Sequence, residues 1–524
     1  MEFVKYTIKD VLSEYSKTQT FKILEQSFIG QAFNVKKQKN IIFIHLIDGS
    51  TVKSLQCIID KNFESFDELS SRLTKGTCIE ITGFIKESLD HEGKVRTKQP
   101  LELQVTKCII VGDIQDVQSY PFTQNTILSR ETMRSIPHIR HHSLLFLAIQ
   151  IIKQKTYEAI HQAFSHLKVG EIQPTEITEN ECEDGAFPFT VTSLPLDENK
   201  QDKIDWNKDF FNKKVYLTVS SQLHLEATLC GTKRDSYCMT VAFRAEPSDT
   251  IMHLAEFCMP EWELVGSIEK NIAFTEFMLK HVFKHVLEEC HDELIFLEDV
   301  RIKQFDIEKK NKLEAHKGQL DKINKKDWKI IQKQLVSSTP IKISLIDRLN
   351  KYKDTDFIKT THAECVTKML KDQEEHKVQF IKMPSYDDDL SREHERYITD
   401  VMFDGLPVFV KRYPKKVKAF YMPVVDQNSE IKHVENFDLL FPYIGEVVGG
   451  SQRIHDHNEL VGRMKELDMK TESLQWYIDL RKYGTVPHGG AGLGLGRLFM
   501  VLTDITNIRD LQEFPRAYGL NCFG

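Results

Sequence analysis

The stretch FRAEPSDTIMHLAEF covers residues 243–257. As a strand–loop–strand hairpin it sets Arg244 against a phosphate, offers Glu246 as an acceptor, and presents Phe257 as an aromatic shelf for a base. Extended segments recur around it, at Val215–Val219, Cys238–Phe243, Val408–Val410 and Ala419–Val425. Apolar helical periodicity begins at Ser143 and runs through Ile151, Tyr157, Ile160 and Phe164, and a further helix is expected at Thr275–His291. Strands and helices mixed in this way predict a large α+β domain on an antiparallel sheet.

Two more passages carry chemistry. Gly489-Gly490-Ala491-Gly492-Leu493-Gly494-Leu495-Gly496-Arg497 is a Gly-rich passage from strand to helix that lets a ligand approach the backbone, with Arg497 as a planar cation. It lacks the G-x-x-x-x-G-K-[ST] pattern of a P-loop, and its glycines equally suit tight helix–sheet packing. Asp438 and Glu446 precede Gly449-Gly450-Ser451-Gln452-Arg453. As a pair they suit a Mg²⁺ that carries nucleotide phosphates, whereas either acid alone is an ordinary surface carboxylate.

Composition sets the outer limits. The chain has 524 residues, 41% hydrophobic and 28% charged, which excludes a wholly disordered or fibrous protein and predicts several domains. Its net charge of −7 argues against unspecific DNA binding, while local basic patches remain open to RNA. The strongest apolar run, Leu144–Ile152, is too short to span a bilayer, and the first twenty residues show neither a secretory nor a transit signal. Ten cysteines without a C-x-x-C pair point to reduced thiols and a cytoplasmic protein.

Toward the N-terminus, Ile41–Ile47 ends in the turn Asp48-Gly49-Ser50 and pairs with Thr51–Ile59 as a hairpin. Cys78–Phe84 and Leu101–Val111 are two further strands, and Phe66–Leu73 is a short helix. Such a set fits a small Greek-key barrel of the oligonucleotide-binding (OB) type, although strand pattern alone admits other small β domains. The chain thus divides into an OB-fold domain at 1–118, a connector at 119–142 and a main domain at 143–524. A charged, mostly helical insertion is expected at about 301–385. The connector's HIRHH, His138–His142, reads as a solvated or RNA-facing basic patch rather than a metal site.

Together these passages resemble the class II aminoacyl-tRNA synthetases of the aspartyl/asparaginyl subgroup. The resemblance is most specific in SSQLHLEA (220–227), FRAE…HLAEF (243–257), LSREHERY (390–397), YPKKVKAFYMP (413–423) and WYIDLRKYGTVPH (476–488). It implies an α+β multidomain protein, with an anticodon-binding OB barrel and an antiparallel-sheet catalytic domain. It places Arg244, Glu246, His253, Phe257, Asp438, Glu446 and Arg497 at ATP, with Arg244, Glu246 and Arg497 catalytic and Asp438 and Glu446 on Mg²⁺. Arg244 would meet the α-phosphate, and Phe257 and Arg497 the two faces of adenine. Glu183 would bind the amino acid's α-ammonium group. Phe43 would stack on an anticodon base, Gln56 hydrogen-bond to one, and Lys36 and Lys37 meet phosphate. Pro174 falls where the subgroup's dimer interface lies, implying a homodimer. Two positions depart from the pattern: Met252 stands where relatives carry Arg, and Gly496 where they carry Glu.

Residue chemistry bears on the amino acid. Aspartyl relatives place a Lys in a segment that here reads Gln222-Leu223-His224-Leu225-Glu226, so Leu225 replaces the cation and an acid follows. A carboxamide needs both a donor and an acceptor, and Arg453 with Glu226 supplies them, with Gln222 alongside. The expected activity is therefore ATP-dependent ligation of L-asparagine to tRNA(Asn). The alternatives are an aspartate-charging relative and a synthetase-like RNA-binding protein without catalysis.

Overall fold

Alternation builds the N-terminal barrel. In β2 (Ile41–Ile47), Ile42, Ile44 and Leu46 point inward and are fully buried, while Ile41, Phe43 and His45 take the outer face. With β1 (Glu25–Gln38), β3 (Leu55–Asp60), β4 (Cys78–Glu87) and β5 (Leu101–Gly112) it closes a five-stranded barrel in the order β1-β2-β3-β5-β4. The hairpin pairs Ile41 with Asp60, but its second strand begins at Leu55, not Thr51, because 51–54 completes the turn. Helix α1 (Ile8–Thr18) seals the core with Ile8, Val11 and Tyr15, and α2 (Phe66–Arg72) lies between β3 and β4.

The computed structural model describes residues 6–18, 25–90, 92–96, 99–123, 128–179, 187–195, 204–303, 343–425, 430–469 and 471–520. They form two compact units, Met1–Lys155 with Glu289–Lys342, and Thr156–Glu288 with Ile343–Gly524. In the first unit the segment after residue 289 docks on the barrel. Glu293 accepts from Thr51 Oγ1 at 3.1 Å, and Asp292 pairs with Lys53 at 2.7 Å. The HIRHH segment follows α3 (Arg130–Ser135) and is solvated only in part, with His138 exposed and Arg140 withdrawn from solvent. Arg140 is fully buried beneath the Phe146 ring of α4 (Leu144–His166), and His142 Nδ1 is hydrogen-bonded to Tyr120 at 3.0 Å.

The second unit has two sheets. Three short strands, β7 (Ile177–Thr178), β8 (Thr190–Val191) and β9 (Val215–Leu217), form the smaller one. The larger begins with β6 (Gly170–Glu171), β10 (Ser236–Phe243) and β11 (Glu256–Val265). It continues with β12 (Ile358–Thr361), β13 (Val408–Lys411), β14 (Asn436–Phe441), β15 (Gly445–Gln452) and β16 (His488–Leu493). Its order is β12-β13-β14-β15-β16-β11-β10-β6, antiparallel through the centre with a parallel pair at each edge. Helix α5 (Gln222–Thr232) enters from β9, and α6 (Ile268–Glu289) lies along β11, where Trp262 Nε1 donates to Asn271 at 2.8 Å. This is the α+β architecture expected from the sequence.

Two expectations need correction. The insertion cannot reach 385, because Ile358–Thr361 is the edge strand of the main sheet; of the expected span, 304–342 lies outside the described residues. Ala419–Val425 is not a strand. Its Phe420 and Tyr421 instead join Leu460, Met464 and Tyr477 in a buried cluster, so their hydrophobicity serves packing.

Candidate active site

The β10–β11 hairpin pairs Phe243 with Glu256, and Arg244 N donates to Ala255 O at 2.9 Å, closing the connecting loop. Along β11 the residues of one face, Phe257, Met259, Glu261 and Glu263, line a cavity of about 650 Å³. Gln222, Arg244, Glu246, His253, Asp438, Glu446, Arg453 and Arg497 line the same cavity, brought together by α5, the β10–β11 hairpin, β14, β15 with the residue that follows it, and the start of the last long helix.

At one end Arg244 lies over the Phe257 ring at 5.5 Å. Arg497 Nη1 donates to Glu446 O at 2.6 Å and pairs with the Glu446 carboxylate at 3.4 Å. His253 is hydrogen-bonded to Ser248 and Thr250 at 2.8 and 2.6 Å, and burial, reinforced by the nearby arginines, lowers its pKa. The two departures sit here as well. Met252 lines the cavity, and at Gly496 an added Cβ would come 2.7 Å from Ile508, so any side chain there requires Ile508 to shift.

Asp438 and Glu446 come together across paired strands. A Cβ at Gly449 would lie 2.8 Å from one Glu446 oxygen and 3.7 Å from an Asp438 oxygen, so that glycine leaves the space between them open. Burial raises Asp438 to about 6, against the pull of Lys418, which bonds it at 2.9 Å. Glu395, from the LSREHERY segment, lies behind them, and burial with the neighbouring Glu446 pushes it up to about 8. Among the described residues no three His, Cys, Asp or Glu side chains are grouped to hold a metal by themselves. Two carboxylates do suit a Mg²⁺ that takes its other ligands from phosphate and water.

At the opposite end Arg453 donates from Nε and Nη2 to one oxygen of Glu263, at 2.9 and 2.5 Å. Glu226 does not line the cavity. It is fully buried and accepts from Gln222, Tyr477, Arg481 and His488, with Arg453 3.9 Å away. Burial opposes its ionisation, yet Arg481, His488 and Arg453 hold it well below the usual carboxylate range. Glu261, Glu263, Tyr477, Arg481 and His488 were not anticipated. The alternation of Glu261 and Glu263 with Phe257 and Met259 was the signal for the first two.

Residues 136–518, most of the chain, match the family described as tRNA synthetases class II (D, K and N), and residues 27–111 match OB-fold nucleic acid binding domains. The chain belongs to the class II tRNA synthetases. An asparagine–tRNA ligase of Clostridium botulinum (strain Alaska E43 / Type E3) is 34% identical over 513 residues, covering 97% of this synthetase and 98% of the relative. The asparaginyl-tRNA synthetase of Entamoeba histolytica in complex with asparaginyl-adenylate is 26% identical, with a TM-score of 0.71 and coverage of 95% and 97%. That of Pyrococcus horikoshii complexed with asparaginyl-adenylate shares the fold at a TM-score of 0.75 and 24% identity, covering 99% of both chains.

The barrel of the synthetase carries the remaining expected residues. Phe43 pairs across strands with Lys36, and His45 with Gln56, all on the outer face; Gln56 donates to Glu102 at 3.2 Å. Lys37 pairs with inward-facing Ile42 and so does not share that face. Glu183 lies outside the described residues.

Proposed function

We infer that this synthetase is an asparagine–tRNA ligase, which uses ATP to activate L-asparagine and esterifies it to tRNA(Asn). The observation that carries this reading is one cavity holding a phosphate-and-base end, at Arg244, Phe257 and Arg497, and a side-chain end at Gln222 and Arg453. The ligases that it resembles along nearly their whole length act on the same substrates.

The asparagine carboxylate attacks the α-phosphate in line, giving asparaginyl-adenylate and pyrophosphate, and the terminal adenosine of the tRNA then displaces AMP. Arg244 meets the charge that develops on the α-phosphate, while Phe257 and Arg497 hold adenine between them. Glu246 and His253 line the nucleotide end, Gln222 and Arg453 orient the side chain, and Glu183 takes the α-ammonium group. Positioning and charge stabilisation do most of the work, since in-line phosphoryl chemistry asks little of a protein base. Asp438 and Glu446 would hold Mg²⁺, which supplies positive charge to the triphosphate when bound.

On the barrel, Phe43 and Gln56 read anticodon bases and Lys36 meets phosphate, with Lys37 contacting it from the barrel end. The working form is a homodimer joined near Pro174 and α4, in the cytoplasm, a setting that suits eight described cysteines that are all free. No helix among the described residues is long and apolar enough to cross a membrane.

Amino-acid-dependent ATP–pyrophosphate exchange tests the reading: asparagine supports exchange and aspartate does not. The rival, an RNA-binding protein without catalysis, is favoured by Met252 and Gly496. Absence of exchange with either amino acid, from folded protein, establishes the rival instead.

A further inference from the structure

A triphosphate is held by positive charge, and the wall of the cavity offers little that is uncommitted. Among the described residues, six carboxylates and five basic side chains line it. Arg453 is matched by Glu263 at 2.5 Å, Lys418 by Asp438 at 2.9 Å, and Arg497 by Glu446 at 3.4 Å. Lys416 lies 3.7 Å from Asp388, and Arg244 rests on the Phe257 ring. Met252, next to His253 in the hairpin loop, lines the cavity but is apolar and 6% exposed, so this stretch adds no cation.

Arg392 adjoins the same end from outside the wall. The short helix Arg392–Tyr397 packs on β15, where a Cβ at Gly445 would collide with the carboxylate of Glu395, and Glu446 is close enough to act on that carboxylate. Arg392 stands three residues before Glu395, and side chains at that spacing are neighbours on one helix face. Arg392 is thereby placed beside the Asp438–Glu446 pair. On its other side its charge reaches His253, as do those of Arg244 and Arg497. Arg392 is exposed and makes no hydrogen bond or ion pair with any described residue, whereas Arg396 in the same helix faces Asp400 at 3.6 Å. An uncommitted guanidinium, always charged and with its donors in a planar fork, suits phosphate oxygens.

We propose that Arg392 binds the β- and γ-phosphates of ATP at the rim of the cavity, an assignment that rests on the ligase reading. Arg244 takes the α-phosphate, and the two terminal phosphates lie toward Asp438 and Glu446, within reach of Arg392. When asparagine attacks, a carboxylate oxygen bonds to the α-phosphorus, and the bond from that phosphorus to the α–β bridging oxygen breaks. The electron pair leaves with pyrophosphate, and Arg392 meets the charge gathering there. The rim thus supplies a cation that Met252 does not.

The test compares equilibrium binding of ATP and of AMP, each with Mg²⁺, to the full chain and to R392A, R392K and R396A. ATP–pyrophosphate exchange is measured on the same proteins. AMP keeps only the α-phosphate, so R392A is expected to weaken ATP about tenfold and AMP less than about twofold. R392K keeps the charge but loses the fork, and is expected to fall between R392A and the original. R396A is expected to bind both nucleotides as the original does. In exchange, the KM for ATP rises in R392A and the KM for asparagine does not. ATP affinity in R392A within about twofold of the original overturns the proposal. An equal loss for ATP and AMP, or a loss in R396A as large as in R392A, overturns it as well. The binding arm needs no amino acid: an unsubstituted protein that binds ATP but supports no exchange loses the ligase reading, whereas normal ATP binding by R392A removes this inference alone.

Discussion

Replacing Arg481 with methionine takes the principal counter-ion from a carboxylate that water cannot reach. Arg481 and Glu226 both have fully buried side chains, and the guanidinium also donates to Ile454 O at 2.9 Å. Breaking a buried pair from one side costs about 3–5 kcal/mol, because the remaining charge is stranded. Glu226 keeps Tyr477, His488 and Gln222 as donors, and Arg453 stays 3.9 Å away, so the lower end, about 3 kcal/mol, is expected. The assay is urea denaturation of the full chain, followed by the fluorescence of buried Trp262 and compared at equal protein concentration.

The pH dependence has a definite sign. The folded protein holds Glu226 below its ordinary value, so its contribution is present above the unfolded pKa of about 4.3 and is lost as the pH falls through the folded pKa. Removing Arg481 weakens that depression, so the stability gap between the two proteins narrows as the solution is acidified. Adding E226Q to R481M removes the stranded charge, and the double variant is expected to be more stable than R481M alone. An R481M protein within about 1 kcal/mol of the original at neutral pH refutes the reasoning, as does a double variant no more stable than R481M.

Three other substitutions separate the parts of the site. R497A should reduce exchange at least about 100-fold, and full exchange would show that Arg497 does not meet the nucleotide. F257A should raise the KM for ATP about tenfold through lost base stacking, leaving the KM for asparagine little changed; steady-state exchange kinetics check this. F43A, on the barrel's outer face, should raise the KM for tRNA in aminoacylation while exchange without tRNA stays unchanged, and a loss of exchange would contradict a role confined to RNA.

Much of the fold could be read from local pattern. β2 was legible because its inward Ile42, Ile44 and Leu46 alternate strictly with the outward residues. By contrast, β1 runs 14 residues with small and polar side chains, and α1 carries only three buried apolar residues, so neither stands out. Ala419–Val425 misled because a buried loop can be as apolar as a strand. In the site, Arg244, His253 and Phe257 lie on one hairpin, and their contiguity made them visible. The Arg453–Glu263 pair spans 190 residues and Arg481–Glu226 spans 255, so no spacing rule brings either into view. Gly490 was visible, but the Glu263 carboxylate that needs its missing Cβ comes from another strand.

The central claim is tested most directly by charging a tRNA(Asn) transcript with the purified full chain, ATP and Mg²⁺, offering radiolabelled asparagine and aspartate in separate reactions. The account predicts alkali-labile, acid-stable asparaginyl-tRNA and no comparable aspartyl-tRNA. Aspartate charged as efficiently as asparagine, or neither charged by folded protein, would contradict it.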